Sequence, residues 1–201
     1  GPFETASARV LADGRFALAA GCSPQGQGHK TMLSQIAADA LGVPMEELEV
    51  TVGDTRAVRH GQGTFASRST VTAGSAMLGA ATKLRERVLR LAAHVLKAEP
   101  EALTIAGRAV VHRTETARRV PLNKLWHLAN GMPGITVPPH WEPGLMVTEI
   151  FRPKQAAYAN GCHAVELEVD VATGRVHIER YVVAHDCGRI VNPLLVDGQI
   201  Q

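Results

Sequence analysis

Between positions 29 and 41, apolar side chains fall at Met32, Leu33, Ile36, Ala37, Ala40 and Leu41. That three-and-four spacing puts them on one face of a helix, and Gly42 followed by Pro44 stops it. A longer run of the same kind, roughly Thr70 to Ala98, carries Met77, Ala80, Leu84, Val88, Leu91 and Val95, with Arg85, Glu86 and Arg90 off that line. Pro100 closes it. Elsewhere the pattern is that of strands. Val10-Leu11 and Phe16–Ala20 flank Asp13-Gly14, a pair that supplies the positive φ angles of a tight hairpin turn. Leu48–Val52 alternates as a strand and feeds a polar loop from Gly53 to Ser69. A hairpin over Leu103–Val111 turning at Gly107, a short helix from Pro121 to Ala129 ended by Gly131, and a proline-rich connector from Pro133 to Pro143 follow, and this middle reads as an insertion or linker. His163 to Asp170 sets Val165, Leu167 and Val169 against Glu166, Glu168 and Asp170, and Thr173-Gly174 returns the chain into Val176–Ala184. Helices and strands without regular β-α-β alternation predict an α+β fold with mixed or antiparallel sheets and flanking helices. The expected division is a first α+β subdomain with the long helix over 1–132, a connector over 133–160, and the truncated start of a second subdomain over 161–201.

Composition narrows the function. With 201 residues, 45% hydrophobic and 20% charged, the chain can bury a substantial core. The 21 basic and 19 acidic residues are interspersed and leave a net charge of +2, which gives no field for nucleic acid or an anionic membrane. No apolar run approaches the roughly 20 residues that a bilayer span needs. Cys22, Cys162 and Cys187 are far apart and form no C-x-x-C pair, so a zinc knuckle, an iron–sulfur motif and a disulfide framework are disfavoured. That usage points to a reducing compartment, hence a cytoplasmic protein. The chain starts without Met and stops without a helix-stop signal, so both ends are expected to be cut.

Three segments carry candidate chemistry. Gln25-Gly26-Gln27-Gly28-His29-Lys30-Thr31 precedes a helix: glycines let backbone N–H groups approach a ligand, the helix start favours an anion, and the Gln amides both donate and accept. On this evidence alone a bland helix-capping loop is equally good. Gly63-Thr64-Phe65-Ala66-Ser67-Arg68-Ser69 also enters a helix, and its hydroxyls, free N–H groups and single Arg suit an anion; a Ser/Thr cap with a solvated Arg is the competing reading. Third, His185-Asp186-Cys187-Gly188-Arg189-Ile190-Val191-Asn192-Pro193, then Asp197-Gly198-Gln199, gathers polar groups where a strand ends. By itself Cys187 reads as an inert thiol and Asn192-Pro193 as a turn. A Gly/Gln stretch after the first hairpin and another at Gly198–Gln201 suggest two halves presenting similar loops to one ligand. H-E-x-x-H, G-x-S-x-G and Cys/His clusters at metal spacing are absent from the sequence.

In order, these motifs resemble the large, molybdopterin-binding subunit of molybdenum hydroxylases, the family of xanthine dehydrogenase, aldehyde oxidase and aerobic carbon monoxide dehydrogenase. Gly1–Ala20 is similar to the family's G-P-[FY]-E-[TS]-A stretch and hairpin, Gln25–Gly42 to Q-G-Q-G-H and a helix ending L-G-V-P. Val50–Ala76 resembles g-D-T followed by G-T-x-[AG]-S-R-S, and His163–Gln201 resembles E-V-D-x-x-T-G, then D-C-G-x-x-[IV]-N-P-x-x-x-x-G-Q. The resemblance implies a molybdenum ion held by a pyranopterin, in bacterial members usually as the cytosine dinucleotide, with protein groups gripping pterin and phosphates. The cofactor-binding residues it implies are Gln25, Gly26, Gln27, the loop Thr64, Phe65, Ala66, Ser67, Arg68 and Ser69, and also Asp186, Cys187 and Gln199. Neither metal ligands nor catalytic residues are expected among them. The family reaction oxidises an aldehyde, an N-heterocycle or carbon monoxide with oxygen from water and passes electrons to iron–sulfur and FAD partner subunits. The family's base, a glutamate in a G-x-G-E motif, and its G-G-x-F-G segment are missing from this sequence. The expectation is therefore a cofactor-holding fragment of an oxidoreductase, inactive alone, that needs the remainder of its subunit; a non-catalytic remnant or interaction module is the alternative.

Overall fold

The computed structural model describes residues 3–131, 133 and 136–201; the Gly1-Pro2 pair of the first motif and the expected boundary at 132 lie outside them. The chain divides into two compact units, Gly1–Lys154 and Gln155–Gln201.

The first unit is built on a four-stranded sheet ordered β3-β2-β1-β7, with β1 at Glu4–Val10, β2 at Phe16–Ala20, β3 at Leu48–Val52 and β7 at Met146–Phe151. The β1–β2 hairpin turns where expected: Gly14 has φ 88°, and its N–H donates to the Leu11 carbonyl at 3.0 Å. After β2 the chain enters α1 (His29–Leu41) and returns as β3, parallel to β2. One β-α-β unit is therefore present, which the irregular sequence pattern did not lead us to expect. It brings the carboxyl ends of β2 and β3 to the same end of the sheet. Because β1 runs antiparallel to β2, with Ala6 opposite Ala20, its start lies at that end too.

α2 (Ser75–Leu96) packs on both α1 and the sheet. It is preceded by one wide π-type turn, Thr70–Gly74, so the helical run starts at Thr70 as the periodicity predicts. It ends at Leu96, two residues before Ala98, and is capped by left-handed Lys97, whose N–H donates to Ala93 O. Met77, Leu84 and Leu91 on its inner face are completely buried, together with Phe16, Leu18, Leu33 and Leu41 from the sheet and α1. Each such side chain contributes about 1.5–3 kcal/mol of transfer free energy. Two glycines set the spacing: a Cβ at Gly74 would lie 3.0 Å from Ile36 Cδ1 on α1, and one at Gly79 would lie 3.0 Å from Glu149 Cγ on β7.

The middle of the chain is part of this unit. β4 (Leu103–Ala106), β5 (Ala109–His112) and β6 (Arg119–Pro121) form a small antiparallel sheet, and α3 (Leu122–Ala129) buries Leu122, Leu125 and Leu128. Within the stretch read as connector, residues 146–151 add β7 to the edge of the main sheet. Its pattern hid it: the solvent side carries apolar Met146 and Ile150, while the half-buried side includes Glu149, which accepts a hydrogen bond from Lys83 Nζ. With Val147 and Phe151 also on the half-buried side, apolar residues fall on both faces and blur the polar-out alternation by which a strand is recognised.

The second unit is a ribbon, β8 (Asn160–Val169) with β9 (Val176–Asp186), followed by α4 (Pro193–Ile200). A register shift at Glu166/Leu167 leaves Glu179 as an extra residue on β9. Without it Val176 and Ile178 would face the opposite side from Tyr181 and Val183, since parity alone fixes the side in a strand. With it, all four share a face with Val165, Leu167 and Val169. Asn192-Pro193 is not an isolated turn but the start of α4, because Asn192 Oδ1 accepts from Leu195 N at 3.0 Å and proline occupies the first turn. Gly198–Gln201 consequently lies in and just after the last turn of α4, not in a loop like Gln25–Gly28.

Candidate functional site

The loops that follow β2 (residues 21–28) and β3 (residues 53–69) sit side by side at the carboxyl end of the parallel pair. In sheets with parallel strands this is the end where ligands are held. Their backbones approach closely: a Cβ added to Gly21 would lie 2.7 Å from Gly61 Cα, and one added to Gly61 would lie 2.7 Å from both Gly21 Cα and Gly21 O. Neither position has room for a side chain. A hydroxyl relay ties the loops again: Ser69 Oγ donates to Thr64 Oγ1 at 3.3 Å, and Thr64 Oγ1 donates to Ser23 O at 2.6 Å.

Behind this contact is a buried ion pair. Glu4, the first residue of β1, is 0% exposed and Arg68 is 8% exposed, with Arg68 Nη1 donating to Glu4 Oε2 at 3.0 Å and to Gly63 O at 2.6 Å. Arg68 Nη2 donates to Phe3 O, and the backbone N–H of Gln62 donates to Glu4 Oε2 at 3.4 Å. Removing one member of such a pair leaves an uncompensated buried charge and typically costs about 3–5 kcal/mol. Arg68, expected from sequence among the ligand-contacting side chains, is thus turned inward, with only its ring contact to Phe65, 5.0 Å from the ring centroid, reaching the loop tip.

The tip of the second loop, residues 65–67, faces outward, whereas Ser69 is buried like Arg68 and Thr64 is half-buried. Phe65 is 53% exposed, and Ala66 and Ser67 are exposed with φ of 50° and 53°. Two successive non-glycine residues in the left-handed region are costly, on the order of 1–3 kcal/mol each, and persist only where the surroundings impose them.

In the first loop Gly26 has φ 99°, and the Gln25 N–H donates to Gln27 Oε1 at 2.6 Å, so the Gln27 side chain folds back over its own loop. Gly28, left-handed at φ 73°, precedes α1 without any side-chain cap, leaving that helix start to backbone N–H groups. His29 is 4% exposed, its Nδ1 has no hydrogen-bond partner among the described residues, and burial pushes its pKa below the ordinary 6.5. Cys22 at the floor of the loop is wholly buried, and burial first, then the charge of Glu4, raises its thiol to about 11. It is no nucleophile.

In the second unit, Asp186 closes the end of β9 by accepting from the Gly188 N–H at 2.8 Å, Cys187 is exposed beside it, and Gln199 is exposed on α4. Sequence reasoning missed Glu4, Gly21, Gly61 and Gln62. A carboxylate heading a strand of small and apolar residues was the available signal for Glu4; nothing local marks the two glycines. Among the described residues no three His, Cys, Asp or Glu side chains cluster to hold a metal ion, and no helix is long and apolar enough to cross a membrane. Two surface depressions of about 410 and 290 Å³, both lined in part by Arg90, share no residue with these loops.

Two glycine-bearing loops at the carboxyl end of a parallel strand pair, each opening a helix, present backbone N–H groups suited to an anionic ligand. The chain belongs to the molybdopterin cofactor-binding domain family, whose model matches residues 1–201. It is 34% identical over 203 residues to the nicotine 6-hydroxylase large subunit of Paenarthrobacter nicotinovorans, covering 98% of this chain and 24% of that protein. It is 33% identical over 201 residues to the carbon monoxide dehydrogenase large chain of Hydrogenophaga pseudoflava, covering 100% of this chain and 24% of that one. Among solved structures, quinoline 2-oxidoreductase from Pseudomonas putida 86 superposes with a TM-score of 0.82 at 33% identity, over 98% of this chain and 25% of that chain. The chain thus spans about a quarter of the length of the relatives it matches, and its α+β architecture is that of their large subunits.

Proposed function

We propose that the protein is the large subunit of a molybdenum hydroxylase, acting on an aldehyde, an N-heterocycle or carbon monoxide, and that the present chain supplies part of the grip on its pterin cofactor. The observation that carries this reading is the Gly21–Gly61 contact, which sets the Gln25–Gly28 and Thr64–Ser69 loops next to each other at one end of the sheet. Relatives that are themselves a nicotine hydroxylase, a carbon monoxide dehydrogenase and a quinoline oxidoreductase support it.

The loops fit such a group. The α1 start lacks a side-chain cap, a buried ring nitrogen at His29 lacks a partner, and open space lies around Gly26 and Gly63, where an added Cβ would meet nothing within 4 Å. Backbone N–H groups at a helix start favour phosphate oxygens, and two such starts, α1 and the turn at Thr70, suit a pterin carrying a cytosine dinucleotide. In this reading Gln25, Gly26 and Gln27 hold the pterin side, the outward Thr64–Ser67 backbone holds phosphate, and Asp186, Cys187 and Gln199 contribute from a second cofactor-binding subdomain. When bound, the molybdenum pterin supplies the two-electron chemistry that adds a water-derived oxygen to carbon. The remainder of the subunit brings the base and the substrate pocket, and iron–sulfur and FAD subunits in the cytoplasm take the electrons. The chain alone is inactive on this account.

The test is cofactor content in the protein expressed from its complete gene with its partner subunits. We expect molybdenum and pterin near one per polypeptide, with CMP released on hydrolysis of the cofactor. A folded protein that repeatedly contains neither overturns the assignment in favour of a non-catalytic interaction module. Gln27→Ala should lower molybdenum retention: a hydrogen bond lost from a buried cofactor costs roughly 1–3 kcal/mol, or about 5- to 150-fold in affinity. Unchanged retention removes Gln27 from the site.

A further inference from the structure

We infer that Glu4 and Arg68 are a positioning pair for the cofactor loop: their ion pair imposes the shape of residues 61–67 without either side chain touching the ligand. This inference rests on the reading above for what the loop binds, but not for what shapes it.

Three observations carry it. First, the Arg68 side chain closes its own loop. Nη1 donates to Gly63 O at 2.6 Å, five residues back, while the same nitrogen is fixed at 3.0 Å by a carboxylate on another strand. The guanidinium therefore spans the base of the loop and pins it to β1. Second, the two residues immediately before it, Ala66 and Ser67, are the left-handed ones. A short loop whose base is drawn shut must reverse sharply, and the reversal falls on these residues although neither is glycine. Third, the pair faces away from solvent, with both side chains buried, whereas Phe65, Ala66 and Ser67 are exposed. The part that holds the shape and the part that meets a ligand are thus different residues of one segment.

Glu4 also reaches the other end of the loop. Its Oε2 accepts from the Gln62 N–H, and Gln62 Oε1 accepts from the Phe3 N–H at 3.2 Å. Its Oε1 occupies the space that a Cβ at Gly21 or Gly61 would need. One carboxylate therefore holds Gln62 and Arg68 directly, and Gly63 through Arg68. Lysine cannot replace Arg68, because one ammonium cannot address Glu4, Gly63 and Phe3 from the two ends of a planar fork. Glutamine at position 4 could keep its carbonyl oxygen toward Arg68 Nη1 and the Gln62 N–H, but its NH₂ would then face the Thr5 N–H, itself a donor, and the negative charge that Arg68 meets would be gone.

Amide hydrogen exchange and pterin content, measured on Glu4→Gln and Arg68→Lys in the protein expressed from its complete gene, test this. In cofactor-free protein we expect the amides of residues 61–67 to exchange about tenfold faster than in wild type, with those of β1, β2 and α2 residues 84–91 unchanged. Pterin content of protein made with cofactor available should fall in parallel in both variants. Wild-type exchange in the loop, or acceleration spread equally through β1, β2 and α2, overturns the inference, the latter because the pair would then be a general fold support. If neither variant folds, the inference falls for the same reason. Should the wild-type protein contain no pterin, the cofactor reading fails while the exchange comparison still decides whether the pair shapes the loop.

Discussion

Gly21 and Gly61, forty residues apart in sequence, meet backbone to backbone: a Cβ on either one would stand 2.7 Å from the Cα of the other. The same Cβ at position 21 would also collide with Glu4 Oε1, which belongs to a buried side chain. Both loops of the candidate site depend on this approach. Gly21→Ala and Gly61→Ala should each destabilise by about 1–3 kcal/mol, the usual cost of forcing extra volume into a filled site. The urea midpoint measures this, and cofactor content should fall with it; a wild-type midpoint for both variants would show that the loops do not pack as described.

His29 gives the protein a pH dependence of definite sign. Burial depresses its folded-state pKa below the ordinary 6.5. The unfolded chain therefore takes up a proton at a pH where the folded chain does not. Stability from this group is fully present above about 6.5 and is lost as pH falls through the lower folded value. Unfolding titrations at pH 7.5, about 6 and about 5 should show a decline that His29→Gln makes shallower. An identical slope in the variant would exclude His29 as its source.

Cys22 should be inert while the protein is folded. Its thiol is wholly buried and raised to about 11, so at pH 8 little thiolate exists to react. Mass spectrometry after iodoacetamide treatment should find Cys22 unmodified in native protein and alkylated in urea. Native labelling at Cys22 would contradict its burial.

α2 offers a comparison between core and surface. Leu84 is fully buried, whereas the adjacent Lys83 is 56% exposed in its ion pair with Glu149. Leu84→Ala should cost about 2–5 kcal/mol, while Lys83→Ala should cost about 1 kcal/mol or less, because solvent screens a pair at the surface. Chemical unfolding of both variants tests the ranking; comparable losses would mean that α2 is held by its charges.

Much of the local structure was legible because its cause is local. Met32, Leu33, Ala37 and Leu41 mark one face of α1, and Gly42 marks its end through a left-handed conformation that glycine adopts without strain. The Asp13-Gly14 and Thr173-Gly174 turns were legible for the same reason. β7 was not, because apolar Met146 and Ile150 lie on its exposed side while Glu149, paired with Lys83 from α2, lies on its half-buried side. α4 could have been found, since Asn192 followed by Pro193 is a helix-start signal as well as a turn signal, and the two differ only in what comes after.

The sequence by itself determined that the Gln25–Gly28 and Thr64–Ser69 segments set glycine, glutamine and hydroxyl residues just before a helix, because that arrangement is local; that they grip a ligand is our proposal. Only the tertiary structure decided what Arg68 does. Its charge and length are the same in either role, but whether a guanidinium meets a ligand or a buried carboxylate depends on a partner 64 residues away, which the antiparallel pairing of β1 with β2 delivers to the same end of the sheet.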